Sequence, residues 1–377
     1  MPWKERTAMF LREEFVRLAL SDGSNVTMLC ERFGISRKTA YKWMARDRQG
    51  QSLADQSRRP SHSPRRTEPA MERRVVQLRE AHRWGGRKIA ARLKALRVEE
   101  VPAPSTVTDI LRRHGQIDPQ EAAAHAPLQR FEHPCPNDLW QMDFKGQFRL
   151  VQGPWCFPLT ILDDHSRFSL ALRACPNQQG PTVQGHLTDV FRRYRLPSRI
   201  LCDNGPPWGC DGEHRYTALS AWMIRLGIAV SHGRPYHPQT QGKDERFHRS
   251  LNVELLKGRA FGNADDAQGA FDLWRDVYNL ERPHEALAMG VPASRYQPSA
   301  RAFPEALLPI EYEPADIVRW VQVTGYFQYG KRKFRVSQAF AGNPVALRPT
   351  TTDGVLDVYF CHQKVSQIDL KKPFTGA

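Results

Sequence analysis

The sequence lacks the features of a membrane protein and of a disulfide-stabilised secreted protein. Its 377 residues contain no run close to the roughly 18 consecutive apolar residues that a membrane span needs, and the N-terminus has no apolar signal segment. The seven cysteines are an odd number without a C-x-x-C pair. Cys202, Cys210 and His214 have a spacing that fits no common zinc site. We therefore expect free thiols in a soluble cytoplasmic protein with no membrane partner.

Acidic residues are too few to balance the basic ones. The chain has 55 Lys and Arg against 40 Asp and Glu, a formal net charge of +15. Residues 1–130 hold 26 basic and 15 acidic residues, so this third of the chain carries +11 of the excess. Such a charge predicts a polyanionic partner, most simply double-stranded DNA. The length predicts two to four domains.

Residues 1–50 have the pattern of three short helices. The segment NVTMLCERFG ends at Gly34, a natural C-terminal cap, and Ser36 can cap the following SRKTAYKWMAR. Two helices joined by a tight turn, the second of them basic, are typical of a helix-turn-helix domain that binds DNA. A helical bundle with a solvated basic face is the alternative. The candidate DNA contacts of the second helix are Arg37, Lys38, Tyr41 and Lys42.

Residues 51–66 are rich in Ser, Pro and Arg and predict an exposed basic linker that could follow a phosphate backbone. Helical periodicity resumes over 67–115, where Pro104 and Ser105 open the last segment, and it predicts a second helix-turn-helix domain. Residues 116–136 form a second predicted linker. The candidate DNA contacts of these regions are Arg58, Arg59, Arg65, Arg66, Arg87 and Lys88.

Residues 137–285 alternate between short apolar strands and helical segments. Their order, β-β-β-α-β-α-β-α, predicts a mixed sheet covered by helices, with the first three strands in an antiparallel meander. After a third linker at 286–310, alternating residues over 311–377 and the hairpin signal GYFQYGKRK predict a small β-barrel. The expected fold class is therefore multidomain α+β, with tandem helix-turn-helix domains, a mixed α/β core and a C-terminal barrel.

Three acids of the core occupy comparable positions. Asp143 lies in the first strand, in the apolar context LWQMDF, where an unpaired carboxylate would be costly to bury. Asp203 ends a buried strand just before Asn204, where α/β sheets commonly hold ligands, although a local turn would also explain an aspartate there. Glu245 lies early in a helix. Together these acids predict a site for Mg²⁺ or Mn²⁺, with two ions that clamp the attacking and leaving oxygens of a displacement.

Helical phase separates Glu245 from its neighbour Asp244. At 100° per residue Asp244 falls within the apolar stripe of Phe247, Leu251 and Leu255, so we expect it to cap the helix or to pair locally. Glu245 stands about 120° from the centre of that stripe and can face a groove. A simple salt bridge from Glu245 to an arginine one turn later is the alternative. The basic residues expected to hold DNA phosphates beside it are Lys243, Arg246 and Arg249.

Asp163 and Asp164 fall in a turn between the second and third strands. We expect them, with His165 and Arg167, to have structural roles such as turn capping. No Ser-His-Asp or Cys-His set is apparent in the sequence. A water molecule or a DNA 3′-hydroxyl would then be the nucleophile.

Three motifs, WQMDFKG, LCDNG and RPYHPQTQGKDERFHRSL, occur in this order. With the preceding helix-turn-helix and the later ERPHEAL, they make the chain resemble the integrase-core (DDE) transposases of bacterial insertion sequences, relatives of retroviral integrases. The resemblance implies a ribonuclease H-like core, divalent-metal catalysis, DNA strand cleavage and joining, and Asp143, Asp203 and Glu245 as the triad. The chain departs from the family in two ways. The 41 residues between Asp203 and Glu245 exceed the common spacing, and no His-His-Cys-Cys zinc module precedes the core.

The expected function is that of a transposase that binds terminal inverted repeats, cleaves each end and inserts the freed 3′-hydroxyl into target DNA. Acting on two ends implies a homodimer or a larger assembly on DNA. Two other classes stay open. A non-enzymatic DNA-binding regulator would use only the helix-turn-helix domains, and a ribonuclease H-like nuclease would cut without joining.

Overall fold

The computed structural model describes residues 7–55, 66–117, 132–203, 205–209, 215–233 and 242–372. It divides into two compact units, residues 1–66 and residues 67–377. The second helix-turn-helix domain therefore belongs to the same unit as the core.

The first unit contains the predicted three helices, α1 (Ala8–Ala19), α2 (Val26–Phe33) and α3 (Arg37–Arg48). Gly34 adopts the left-handed conformation, with φ 62°, and ends α2. The Ser36 hydroxyl accepts a hydrogen bond from the Thr39 amide and begins α3. Buried Phe15 and Trp43 join the helices in one apolar cluster. The prediction for this domain is confirmed.

The second helix-turn-helix is also confirmed, with α4 (Pro69–His82), α5 (Gly86–Ala95) and α6 (Pro104–Arg113). Gly86 is required where α5 meets α6. A Cβ atom at this position would lie 2.3 Å from the Thr108 hydroxyl and 2.7 Å from the Pro104 carbonyl oxygen. Buried Trp84 and Ile89 lie in the cluster that holds the three helices together.

The core follows the predicted order, with one additional short strand. Its elements are β1 (Trp140–Phe144), β2 (Phe148–Arg149), β3 (Trp155–Asp163), β4 (Ser169–Cys175), α7 (Gly180–Tyr194), β5 (Arg199–Cys202), α8 (Ala218–Arg225), β6 (Ala229–His232), α9 (Gly242–Leu251) and α10 (Ala264–Leu280). A π-helical turn, Asn252–Leu256, continues α9.

The sheet of the core is mixed. Its main path is β2-β3-β1-β5-β6, and β4 pairs with β3. The pairs β1–β3 and β3–β4 are antiparallel, which confirms the meander, whereas β1–β5 and β5–β6 are parallel. Leu162 and Leu172 of the sheet pack with buried residues of α9 and α10. Met142 and Ile161, on the other face, pack with buried residues of α7 and α8.

Residues 286–310 are packed onto the core rather than forming a free linker. The Arg301 guanidinium donates hydrogen bonds to the carbonyl oxygens of Pro197, at 2.7 Å, and of Gly227, at 2.8 Å. Arg295 donates to the Glu132 carboxylate at 2.9 Å. These bonds fix the path of the chain between the core and the C-terminal region.

The predicted C-terminal barrel is wrong for the described residues. The strands are β7 (Ile317–Trp320), β8 (Tyr326–Tyr329), β9 (Arg332–Arg335), β10 (Pro344–Pro349), β11 (Val355–Phe360) and β12 (Gln363–Asp369). They form an open sheet, β12-β11-β10-β7, and a separate β8-β9 hairpin. The apolar face carrying Val345 and Val358 joins the apolar cluster of the core, and the rings of Tyr216 and Phe340 lie 5.1 Å apart. The same cluster includes Phe327 and Phe340 of the C-terminal region, so this face is buried although the sheet does not close on itself.

None of the described helices is long and apolar enough to span a membrane.

Candidate active site

The structure brings Asp143 and Asp203 to the same edge of the sheet. Strand β1 runs parallel to β5, with Trp140 opposite Ile200 and Gln141 opposite Leu201. Continuing this register by two residues sets Asp143 beside Asp203. Since residues at equal register in parallel strands face the same side, the two carboxylates share one face of the sheet.

Electrostatics agree with this proximity. Burial raises the pKa of Asp143 to about 6, the amide of Phe144 opposes that shift through a hydrogen bond, and the charge of Asp203 adds to it. Within the described ranges, Asp143 forms no ion pair with a basic residue. A partly buried carboxylate beside a second carboxylate is a place where a cation would be stabilising.

Helix α9 has the predicted phase. Phe247 and Leu251 are buried, whereas Glu245, Arg246 and Arg249 are exposed. The exposed face of the helix thus carries the acid and the two arginines predicted to lie together.

The environment of Asp244 differs from the expectation. Asp244 does lie in the apolar stripe, with 3% of its surface exposed, but its buried Oδ1 atom has no hydrogen-bond partner among the described residues, and no cap by this side chain is seen there. Burial, followed by the charge of Asp143, raises the pKa of Asp244 well above its ordinary value. The charges of Asp143, Asp244 and Asp203 all raise the pKa of the buried Cys202 thiol, after burial itself. Asp244 therefore lies on the buried side of α9, close enough to Asp143 for their charges to interact.

Glu245 does not reach the pair in this structure. No group of three or more His, Cys, Asp or Glu side chains in the described part of the chain is close enough to hold a metal ion. The structure thus joins Asp143 with Asp203, while Glu245 lies on the exposed face of α9.

Lys243, expected to hold DNA phosphates, is engaged inside the protein. Its ammonium group pairs with the Asp164 carboxylate, and only 16% and 1% of the two side chains are exposed. Asp164 also accepts hydrogen bonds from the His133 amide at 2.8 Å and from the Gln141 side chain at 2.8 Å. Asp164 therefore ties the first turn of α9 to β1.

Replacing Asp164 with asparagine is expected to destabilise the protein by about 3 kcal/mol, because it leaves a largely buried ammonium group without its counter-charge. The unfolding temperature of Asp164→Asn measures this. Asp353→Asn is the matched control, because the pair of Asp353 with Lys371 is exposed and should contribute less than about 1 kcal/mol. Equal unfolding temperatures for the two variants would contradict the role of the buried pair.

The remaining residues of the β3–β4 turn have the structural roles predicted for them. Asp163 is fully buried and accepts hydrogen bonds from the amides of Asn137 and Ser166, each at 2.7 Å. A ring nitrogen of His165 lies 2.9 Å from the His133 carbonyl oxygen. Arg167 donates to Glu132 at 3.0 Å. These bonds hold the segment before the core against the turn.

In α3 all four predicted DNA contacts are exposed, namely Arg37, Lys38, Tyr41 and Lys42. The Lys42 ammonium and the Arg46 guanidinium lie over the ring of Trp43, at 5.1 Å and 4.8 Å from its centre. Arg66 is exposed as well. Arg58, Arg59 and Arg65 of the linker lie outside the described residues, as do Cys210 and His214.

Arg87 is exposed and Lys88 is partly buried, and both have neighbours in the segment that follows α10. Arg87 lies 3.8 Å from the Glu285 carboxylate, and the neighbouring Arg92 pairs with Glu281. Burial lowers the pKa of Lys88 to about 8, and the charge of Arg282 adds to that effect. The sequence pattern marked these residues as basic but did not show that the segment after α10 would supply acids for them.

Sequence reasoning also missed a buried network around Arg282. Its guanidinium donates to the Glu254 carboxylate at 2.9 Å and to the Ser250 hydroxyl at 2.8 Å, and it lies 3.1 Å from the His284 ring. The network joins the end of α9 to the segment after α10. An arginine directly before proline and histidine in ERPHEAL was the available signal.

Models of known families match five segments of the chain. Two models described as integrase core domain match residues 133–238 and 226–292, and the IS481 family transposase C-terminal domain matches 316–374. A helix-turn-helix domain matches 11–61, and a homeodomain-like domain matches 39–111.

This chain spans about half the length of the curated relatives that it matches. The insertion element IS407 uncharacterized 31.7 kDa protein of Burkholderia multivorans is 26% identical over 41% of this chain and 53% of that protein. The insertion element IS476 uncharacterized 39.2 kDa protein of Xanthomonas euvesicatoria is 30% identical over 42% and 44%. A chain of the simian T-cell lymphotropic virus intasome in complex with PP2A regulatory subunit B56 gamma aligns with a TM-score of 0.40, at 14% identity, over 79% of this chain and 96% of that chain.

The fold and these matches define a protein with an integrase core and helix-turn-helix domains. It is related to the proteins of bacterial insertion elements, and its C-terminal region matches that of a transposase family. The resemblance predicted from the three motifs is confirmed.

Proposed function

We propose that the protein is a transposase that binds the terminal inverted repeats of an insertion sequence, cleaves one strand at each end and joins the freed 3′-hydroxyl to target DNA. The observation that carries this proposal is the pair of Asp143 and Asp203 at the ends of parallel strands, in a chain that also has two helix-turn-helix domains. A regulator that only bound DNA would have no use for this pair.

Asp143, Asp203 and Glu245 are the proposed ligands of Mg²⁺ or Mn²⁺, with two ions at the site. The aspartate pair fits a cation because Asp143 is partly buried beside a like charge and forms no ion pair within the described ranges. Bound ions would neutralise the charge that develops on the phosphodiester oxygens. Glu245 would complete this set from the exposed face of α9.

The proposed reaction needs no covalent bond to the protein. In cleavage, the oxygen of water bonds to phosphorus, and the 3′-oxygen of the element leaves and takes up a proton. In joining, the oxygen of that 3′-hydroxyl bonds to a phosphorus of the target and gives up its proton, and the 3′-oxygen of the target leaves and takes up a proton. The exposed Arg246 and Arg249 of α9 would hold phosphates of the strand being cut. Two ends require at least two copies of the chain in the working complex.

The test uses purified full-length protein, Mg²⁺ and duplexes that carry the ends of its own element. Gel separation of bound, nicked and joined DNA distinguishes three outcomes. Joined products support transposition, nicked products alone indicate a ribonuclease H-like nuclease, and binding without either indicates a regulator.

Sequence-specific binding is expected to depend on α3. Replacing Arg37, Lys38 and Lys42 together with alanine should reduce the preference for repeat DNA over random duplex by at least about tenfold, because each specific contact contributes roughly 1–3 kcal/mol. Fluorescence anisotropy across a salt series measures both affinities. Arg17→Ala, which removes an exposed arginine of α1, is the control. An unchanged preference in the triple variant would remove α3 from repeat recognition.

A further inference from the structure

A cavity of about 210 Å³ lies beside the candidate active site. The turn after β1 forms one wall, with Lys145, Gln147 and Arg149, and the segment after α9 forms the other, with Asn252 and Arg259. A single water molecule takes up about 30 Å³ of liquid, so the cavity has room for a larger group.

The lining of this cavity is basic. Three of its ten lining residues, Lys145, Arg149 and Arg259, are cations, and none is acidic. No aspartate or glutamate within the described ranges forms an ion pair with any of the three. The Arg259 guanidinium is held 5.0 Å from the centre of the Phe261 ring. Three cations collected around one space, without ion-pair partners among the described residues, favour an anionic ligand.

The position of Lys145 links the cavity to the aspartate pair. Gln141, Asp143 and Lys145 alternate along β1 and its end, so successive side chains on this face are about 6.6–6.8 Å apart. The Lys145 amide donates to the Pro158 carbonyl oxygen at 3.0 Å, which continues the pairing of β1 with β3. The cavity therefore lies one side-chain position beyond Asp143 on the same face.

The Thr160 side chain joins the Asp143 backbone to α9. The Thr160 hydroxyl donates to the Asp143 carbonyl oxygen at 2.9 Å and lies 2.9 Å from the His248 ring. Burial lowers the pKa of His248 to about 4, and the charge of Lys145 adds to that effect. His248 is therefore neutral at pH 7, and the positive charge here comes from Lys145.

We propose that this cavity binds a backbone phosphate of DNA next to the phosphodiester that is cut or joined. Lys145 and Arg259 are its main ligands, Arg149 lies at its edge, and the Gln147 and Asn252 side chains can donate to the same oxygens. The proposal rests on the proposed function, because it assigns the phosphate to the DNA on which the aspartate pair acts. The DNA strand that carries this phosphate belongs either to the element end or to the target.

The experiment measures DNA affinity of full-length Lys145→Gln and Arg259→Gln in EDTA, where no cleavage occurs. One arm uses a duplex that carries the element end, and the other adds a random target duplex to protein already bound to a pre-cut end. We expect each variant to lose about five- to tenfold in affinity in one arm and to lower the slope of log affinity against log salt by about one. A loss of affinity in the first arm assigns the bound phosphate to the element end. A loss of affinity only in the second arm assigns it to the target.

Arg199→Gln is the matched control. Arg199 is an exposed arginine at the opposite end of β5 from Asp203. Its substitution removes the same charge at a place away from the site. If both cavity variants bind like the wild type in both arms, or if Arg199→Gln loses as much affinity as they do, the proposal is overturned. Because binding is measured without metal, a protein that binds but never cleaves in Mg²⁺ would contradict the proposed function and leave this result intact.

Discussion

Replacing Glu245 with glutamine is expected to abolish end cleavage and joining, with a loss of at least about a thousandfold in rate, while repeat binding persists. Glutamine keeps the size of the side chain but removes the charge proposed to hold the cation. Asp244→Asn is expected to keep substantial activity. Its carboxyl is buried on the core-facing side of α9 and its pKa is raised well above the ordinary value, so asparagine resembles the protonated form already favoured there.

The two variants differ by one residue in sequence and by about 100° around the helix, so each is the control for the other. Cleavage and strand transfer of labelled element ends give the rates, and a binding assay on the same ends shows that both variants are folded. If Asp244→Asn were inactive and Glu245→Gln active, Asp244 would be the third ligand. The assignment of Glu245 would then be wrong.

Replacing Asp143 with asparagine is expected to abolish cleavage and also to stabilise the metal-free protein. Its pKa is near 6 in the folded chain, above the ordinary value, so the folded state binds a proton more tightly than the unfolded state does. The contribution of Asp143 to stability is therefore complete below about pH 4 and is lost as the pH rises through 6. At pH 7.5 in EDTA, Asp143→Asn should be more stable than the wild type by about 1–2 kcal/mol, after allowance for partial solvent screening.

Thermal unfolding at pH 4 and pH 7.5, with and without Mg²⁺, measures this effect. The advantage of Asp143→Asn should vanish at pH 4, and Mg²⁺ should raise the unfolding temperature of the wild type more than that of the variant. Asp276→Asn on the exposed surface of α10 is the control, and it should show neither effect. A variant less stable than the wild type at pH 7.5 in EDTA would show that the Asp143 charge is compensated by groups within the protein.

Local patterns predicted much of the fold, because caps, periodicity and strand alternation act over a few residues. Gly34 and Ser36 delimit the helix-turn-helix as expected, and the strands with Asp143 and Asp203 lie where their apolar runs placed them. The C-terminal sheet was predicted as strands but not as an open sheet. Its apolar face joins an apolar cluster shared with the core, and strand alternation alone does not show what covers a face.

Partnerships between distant segments could not be predicted from sequence. Lys88 and Lys243 carry the charge and spacing of DNA contacts, yet one faces the segment after α10 and the other pairs with Asp164, 79 residues away in sequence. Helical phase correctly placed Asp244 in the apolar stripe, but it did not show how close this side chain lies to Asp143. Such pairings depend on tertiary packing, which the local pattern does not contain.

The parallel pairing of β1 with β5 has a consequence for how the protein folds. Aligning Gln141 with Leu201 closes a chain segment of 59 intervening residues, which contains β2, β3, β4 and α7. Closing a segment of this length has an entropic cost that only the remaining contacts of the sheet offset. The meander and α7 can form through contacts between residues that are close in sequence. The two aspartates meet only when the non-local pairing of β1 with β5 is made. During synthesis, the site therefore stays unassembled until the ribosome has released β5, by which time both DNA-binding domains have already emerged.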